Sequence, residues 1–184
     1  MSRSDTPLHI NYFAGPGAGK STTAAATFVN LKKLGMNVEL VCEYAKDCTW
    51  EERWGALACQ PHIFGEQLFR VERFEGKVDL IVTDSPIFLS AIYNETYPES
   101  FTRAVVDIFK ARDNLNFFID RTKPYVKHGR TQSFEEAKGV DRRVREALER
   151  ESIPYYPVRG TADEVVKVVL PQIFDKLGVD ISAE

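Results

Sequence analysis

The residues best suited to chemistry form one short stretch, Ala14-Gly15-Pro16-Gly17-Ala18-Gly19-Lys20-Ser21-Thr22. An apolar run, Leu8 to Phe13, leads into it, and a helix-forming run, Ser21 to Leu34, leads out. Strand, glycine-rich turn and helix in that order are the context a phosphate-binding loop requires. Glycines let the backbone wrap an anion with successive N–H groups pointing inward. The first turn of the following helix adds its positive end. In such a loop Lys20 reaches the β- and γ-phosphates, and the Ser21 hydroxyl faces Mg²⁺. The strict pattern has glycine where this chain has Ala14. The expectation is a nucleoside triphosphate held by Gly15, Pro16, Gly17, Ala18, Gly19, Lys20, Ser21 and Thr22.

Two carboxylates follow apolar runs. Val38 to Cys42 ends in Glu43-Tyr44-Ala45, and Val78 to Thr83 ends in Asp84-Ser85-Pro86. A carboxylate at the C-terminal end of a strand lies at the ligand-binding edge of an open α/β sheet. Asp84 fits a Mg²⁺-side carboxylate or a proton acceptor; taken alone, Asp84-Ser85-Pro86 also reads as the N-cap of a helix over Ile87 to Tyr93. After a third apolar run, Asn116 to Asp120, come Arg121, Lys123, Lys127, His128 and Arg130 within ten residues. A basic segment in that place reads as a lid over a triphosphate, with Arg121 and Arg130 set to stabilise charge on the transferring phosphoryl group.

The elements that position these groups alternate along the chain. Strands are expected at Leu8–Phe13, Val38–Cys42, Val78–Thr83, Asn116–Asp120 and Ile153–Val158, the last broken by prolines and so at an edge. Helices are expected over Ser21–Leu34 (stopped by Gly35), from Gln60-Pro61 to Phe74, from a Ser100 cap over Phe101–Arg112, from a Ser133/Glu136 capping box over Phe134–Glu151, and from a Thr161 cap over Ala162–Leu177. The alternation argues for an α/β fold with a doubly wound parallel sheet. His9 reads as a strand-edge residue. Trp50 and Trp54 are four apart in Asp47–Leu57 and would share a helix face, either packed inside or forming a wall that stacks on a base. Gln60, Gln67 and Arg70 are the polar residues of the next helix suited to a heterocycle's edge.

At 184 residues, 43% hydrophobic and 28% charged with a net charge of −3, the chain fits one soluble domain. The charge gives no global drive toward nucleic acid or an anionic membrane, and no apolar run approaches membrane-spanning length. Residues 1–7 read as a disordered lead-in and 8–184 as a single domain. Cys42, Cys48 and Cys59 lack metal-type spacing and read as reduced thiols of an intracellular protein.

Together, the loop, Glu43-Tyr44-Ala45, Gln60, Gln67, Asp84-Ser85 and the basic lid resemble the P-loop nucleoside and nucleotide kinase group, from Ile10 to about Val158. The likeness is greatest to ribosylnicotinamide-kinase-like proteins and to small kinase-like ATPases of bacteriophages. This resemblance implies a five-stranded sheet of order 2-3-1-4-5, a mobile lid at about 121–133, ATP as donor with Mg²⁺, and a nucleoside-type acceptor, free or within DNA. Some phage members are thought to phosphorylate the 5-hydroxymethyl group of hydroxymethyluracil in DNA. The absence of Asn-Lys-x-Asp disfavours GTP. In related kinases the base is the carboxylate ending the second strand, matched by Glu43, or the one after the third, matched by Asp84. Asp84 is favoured as base or Mg²⁺ partner, and Glu43 as an acceptor-orienting residue or alternative base. Glu43, Tyr44, Trp50, Trp54, Gln60, Gln67 and Arg70 are the acceptor-facing candidates. A cytoplasmic location is expected, that of the host if the chain is phage-encoded. A regulatory ATPase that hydrolyses ATP to water is the alternative of another class.

Overall fold

The computed structural model describes residues 6–122 and 133–179. Five strands, β1 (Leu8–Phe13), β2 (Val38–Val41), β3 (Leu80–Thr83), β4 (Asn114–Asp120) and β5 (Tyr156–Arg159), form one sheet in the spatial order β2-β3-β1-β4-β5. Every pairing is parallel. Fold and strand order are those expected. The crossovers carry α1 (Lys20–Lys33), α2 (Tyr44–Trp50), α3 (Trp54–Ala58), α4 (Gln60–Glu72), α5 (Leu89–Ile92), α6 (Glu99–Lys110), α7 (Phe134–Arg150) and α8 (Ala162–Leu177).

All six residues of β1 are buried, which explains why it reads as an unbroken run of bulky residues rather than an alternating one. Ile10 and Tyr12 face a core with Leu31 of α1 and with Val169 and Ile173 of α8. Phe13 faces the opposite core with Phe88, Phe109 of α6, and Val144 and Leu148 of α7. The expected Ser133/Glu136 capping box forms, and the expected Thr161 cap is part of a second one. Ser133 Oγ accepts from Glu136 N–H at 3.3 Å while Glu136 Oε2 accepts from Ser133 N–H at 2.6 Å, and Thr161 and Glu164 repeat the exchange. Each fixes where a helix begins, at about 1 kcal/mol.

Several local expectations are corrected. Ser100 lies inside α6, whose N-cap position is Pro98, so it caps nothing. Asp84 and Ser85 cap no helix, because α5 begins only at Leu89. Asp47–Leu57 is not one helix: α2 ends at Trp50, Glu52 turns the chain with φ 55°, and α3 restarts at Trp54. The tryptophans therefore share no helix face, and at 62% and 51% exposed they are not packed inside. The physical reason is the polar Glu51-Glu52-Arg53 between them, beside an α3 with no buried residue. Among the described residues β5 pairs only with β4, at the edge of the sheet as expected, and Pro157 is its second residue. No helix among the described residues is long and apolar enough to cross a membrane.

His9 is likewise no edge residue. It sits in the central strand, 3% exposed, with Nε2 3.2 Å from Glu75 Oε1. Burial first, then the positive field of Arg112, push its pKa down to about 4 against an opposing pull from Asp113. Unfolded, it titrates near 6.5. Between those values the unfolded chain binds more protons, so stability is intact above about pH 6.5 and falls as pH drops toward 4. The expected loss is about 3 kcal/mol. Urea denaturation across this pH range should show it, and His9→Gln should remove most of the slope.

Candidate active site

The C-terminal ends of the strands meet on one edge. β1 delivers the loop at Ala14, and β3, its neighbour, delivers Asp84. β4, on the other side, delivers Arg121; β2, one strand beyond β3, delivers Glu43. The loop turns through Gly17 (φ 78°) and Gly19 (φ 103°), a backbone region in which side chains are strained. Gly19 is the N-cap of α1, and no side chain caps that helix. Among the described residues, the N–H groups of Gly17, Ala18 and Gly19 have no acceptor. Uncapped amides at a helix N-terminus are a ready anion cradle. Ala14 is not among the positive-φ residues and is 1% exposed in the core, so glycine is not needed there. It is needed at Gly15, where an added Cβ would lie 2.5 Å from the Ala137 carbonyl and 3.0 Å from both Arg121 Nη2 and Asp141 Oδ1.

Lys20 donates to the Gly15 carbonyl at 3.2 Å. Among the described residues it makes no ion pair, but it lies in the field of Glu43, Asp84 and Asp141. Desolvation is the larger influence and pushes its pKa down. Glu43 occupies the N-cap position of α2 without capping it, which leaves its carboxylate to the cleft. Burial pushes the Glu43 pKa up, Lys20 opposes, and Asp84 adds to the rise. Asp84 is held by its neighbours: Thr83 Oγ1 donates to the Val41 carbonyl at 2.9 Å and accepts from Ser85 N–H at 3.0 Å. Asp84 is 3% exposed, yet its buried Oδ1 has no hydrogen-bond partner.

That orphaned oxygen is suited to a hard cation. Mg²⁺ keeps several waters and takes one or two carboxylates plus phosphate oxygens. Asp84 Oδ1 and the exposed Ser21 hydroxyl in the first turn of α1 fit this requirement. No group of three or more acidic, histidine or cysteine side chains among the described residues offers an all-protein cage.

Arg121 is clamped. Its Nε donates to Asp141 Oδ2, and its Nη2 donates to Asp141 Oδ1 and the Ala137 carbonyl, both at 3.3 Å. Asp141 Oδ1 also accepts from Gly15 N–H at 2.5 Å. The sequence reading missed Asp141, although a signal was there. Ala137, Val140, Val144, Ala147 and Leu148 form the buried stripe of α7, and Asp141 falls on it at helical spacing. Tyr93, also missed, ends α5; burial and then the charge of Glu43 push its phenol pKa up. It lines an open groove of about 510 Å³ with Gly139, Val140, Arg142 and Arg143.

The other acceptor-facing candidates scatter. Gln67 is buried and spent on backbone, accepting from Tyr44 N–H at 2.9 Å and donating to the Cys42 carbonyl at 3.4 Å. Arg70 pairs with Asp47 at 2.6 Å and lies over the Tyr44 ring, and the Tyr44 hydroxyl is shared with His62 and Arg53. These three brace the junction that presents Glu43. Gln60 is half-buried and has no side-chain hydrogen bond among the described residues. Trp50 and Trp54 are exposed. Arg130 and most of the expected lid lie outside the described residues.

Gly15→Ala should force α7 away from the loop. The expected result is a loss of about 1–3 kcal/mol in stability, with nucleotide binding weakened by about tenfold or more. Thermal melts and equilibrium titration with ATP read the two effects.

No curated protein matches the sequence. Among solved structures, a deoxyadenosine kinase from M. mycoides, with products dCMP and a flexible dCDP bound, superposes with a TM-score of 0.50 at 19% identity. The match covers 92% of this chain and 98% of that one, and shows a shared P-loop kinase fold. The AAA domain family matches residues 10–164, which include the loop, both strand-end carboxylates and Asp141. By that match, the chain belongs to the AAA domain family.

Proposed function

We propose that this protein transfers the γ-phosphoryl group of ATP to a hydroxyl of a nucleoside-type acceptor. One observation supports this above the rest: Lys20, Glu43 and Asp84 converge at the mouth of an uncapped glycine loop, with a buried oxygen of Asp84 left unpartnered. The loop amides and Lys20 would bind the phosphates. Mg²⁺, held by Asp84 and Ser21, would neutralise phosphate charge.

The acceptor oxygen bonds to the γ-phosphorus as the bond to the β–γ bridging oxygen breaks, and ADP leaves. The hydroxyl proton passes to a carboxylate. With Asp84 assigned to the cation, Glu43 becomes the base, and burial, by raising its pKa, makes it a stronger proton acceptor than a free carboxylate. Arg121 would meet the charge on the transferring group. Catalysis of this kind is mostly positioning and charge neutralisation.

The deoxyadenosine kinase likeness makes a free nucleoside or nucleotide the first acceptor class to test. Hydroxymethyluracil in DNA is the second, because Trp50 and Trp54 offer exposed faces on which an unstacked base can rest. The experiment is transfer of labelled γ-phosphate to free nucleosides, nucleotides and hydroxymethyluracil-containing DNA. Lys20→Ala and Asp84→Asn should each lower kcat/KM by about 100-fold or more, and Glu43→Gln should lower kcat with ATP binding retained. If ATP is hydrolysed to water faster than it labels any acceptor, the kinase reading fails and the regulatory ATPase takes its place.

A further inference from the structure

One carboxylate joins two parts of the site that sequence places far apart. Asp141 Oδ1 accepts from the Gly15 N–H at 2.5 Å, at the start of the phosphate loop. Asp141 Oδ2 accepts from Arg121 Nε, and Nη2 of the same guanidinium reaches Oδ1 at 3.3 Å. The Ala137 carbonyl, one turn earlier on α7, takes a second bond from Nη2 at 3.3 Å. Arg121 and Asp141 side chains are only 12% and 16% exposed. Two of the three guanidinium nitrogens are thereby engaged. Nη1 makes no hydrogen bond among the described residues. The clamp is tight against the loop, because a Cβ on Gly15 would collide with the Ala137 carbonyl and crowd Arg121 Nη2 and Asp141 Oδ1.

We infer that Asp141 is a positioning residue that aims Arg121 at the terminal phosphate of the bound nucleotide. This rests on the proposed phosphoryl transfer. A planar guanidinium held along one edge by a carboxylate keeps its remaining nitrogen in a fixed direction. An unclamped arginine must give up rotamer freedom each time it meets the phosphate. Because the same carboxylate grips Gly15, the cation and the loop form one rigid unit, and the distance between them is set before nucleotide arrives. Asp141 acts only through Arg121 and the loop and touches no phosphate itself, since two anions would repel.

Equilibrium binding of ATP and of ADP, each with Mg²⁺, tests this without an acceptor. The proteins are wild type, Asp141→Asn, Arg121→Ala, the double variant and Arg121→Lys. If Asp141 aims Arg121, wild type prefers ATP over ADP, and Asp141→Asn and Arg121→Ala each reduce that preference by about tenfold, the scale of one charge-assisted hydrogen bond. ADP affinity stays within about twofold, and the double variant loses no more than either single one. Arg121→Lys leaves Asp141 and its bond to Gly15 in place, so it reads the guanidinium geometry even if Asp141→Asn does not fold; it should lose the preference too. Equal weakening of ATP and ADP in Asp141→Asn, additive losses in the double variant, or an Arg121→Lys protein that keeps its ATP preference would overturn the inference. If wild type prefers ATP through this pair yet labels no acceptor, positioning stands and the transfer reaction does not. Where transfer occurs, Asp141→Asn should lower kcat by about tenfold with acceptor KM unchanged.

Discussion

The geometry of the site depends on β1 being hydrogen-bonded on both sides. Its register with β3 sets Asn11 beside Thr83, and its register with β4 sets Phe13 beside Phe118. Parallel pairing makes the three strands end on one edge, so the residues that follow them must be neighbours. A slip of one residue would exchange the Leu8-Ile10-Tyr12 face for the face that carries His9 and Asn11. Buried polar side chains help hold that register. Asn11 Nδ2 reaches Asn114 Oδ1 and Asn116 Oδ1, both at 2.9 Å, and Asn116 Nδ2 donates to the Pro154 carbonyl at 2.9 Å. Such a network tolerates only the pairing in which every member is satisfied.

Charge at the cleft is unevenly matched. Glu43, Asp84 and Asp141 share the neighbourhood of Lys20 with Arg121, three carboxylates against two cations. Placed beside an anion cradle, this arrangement favours a phosphate that arrives with its own counter-cation. The orphaned oxygen of Asp84 has the same meaning. A carboxylate oxygen sealed from water without a donor is costly unless a ligand completes it.

Much of this was legible in the sequence, and the parts that were not have definite causes. The loop, the Ser133/Glu136 capping box, the Thr161 cap and the strand-end placement of Glu43 and Asp84 follow from local patterns, and local patterns survive folding, whereas the sheet order is what the resemblance to P-loop kinases implies. Asp141 was hidden because its partners, Gly15 and Arg121, are remote in sequence; its only trace was a carboxylate on an otherwise apolar helix stripe. Gln67 and Arg70 looked suited to a base edge, but hydrogen-bonding capacity does not say what a side chain will meet, and here both meet the turn behind Glu43. The tryptophans misled for a different reason. A four-residue spacing implies a shared face only if the helix is continuous, and Glu52 interrupts it.

The outer edge of the sheet at β5 has a consequence of another kind. Parallel sheets invite further strands wherever main-chain donors and acceptors lie open. Pro157, the second of the four residues of β5, brings no N–H, and Tyr156 before it and Arg159 at the strand's end are exposed. An imino acid in so short a border strand makes it a poor template for a strand from another molecule. Among the described residues the sheet therefore ends at β5, whose own covalent chemistry disfavours the addition of a further strand.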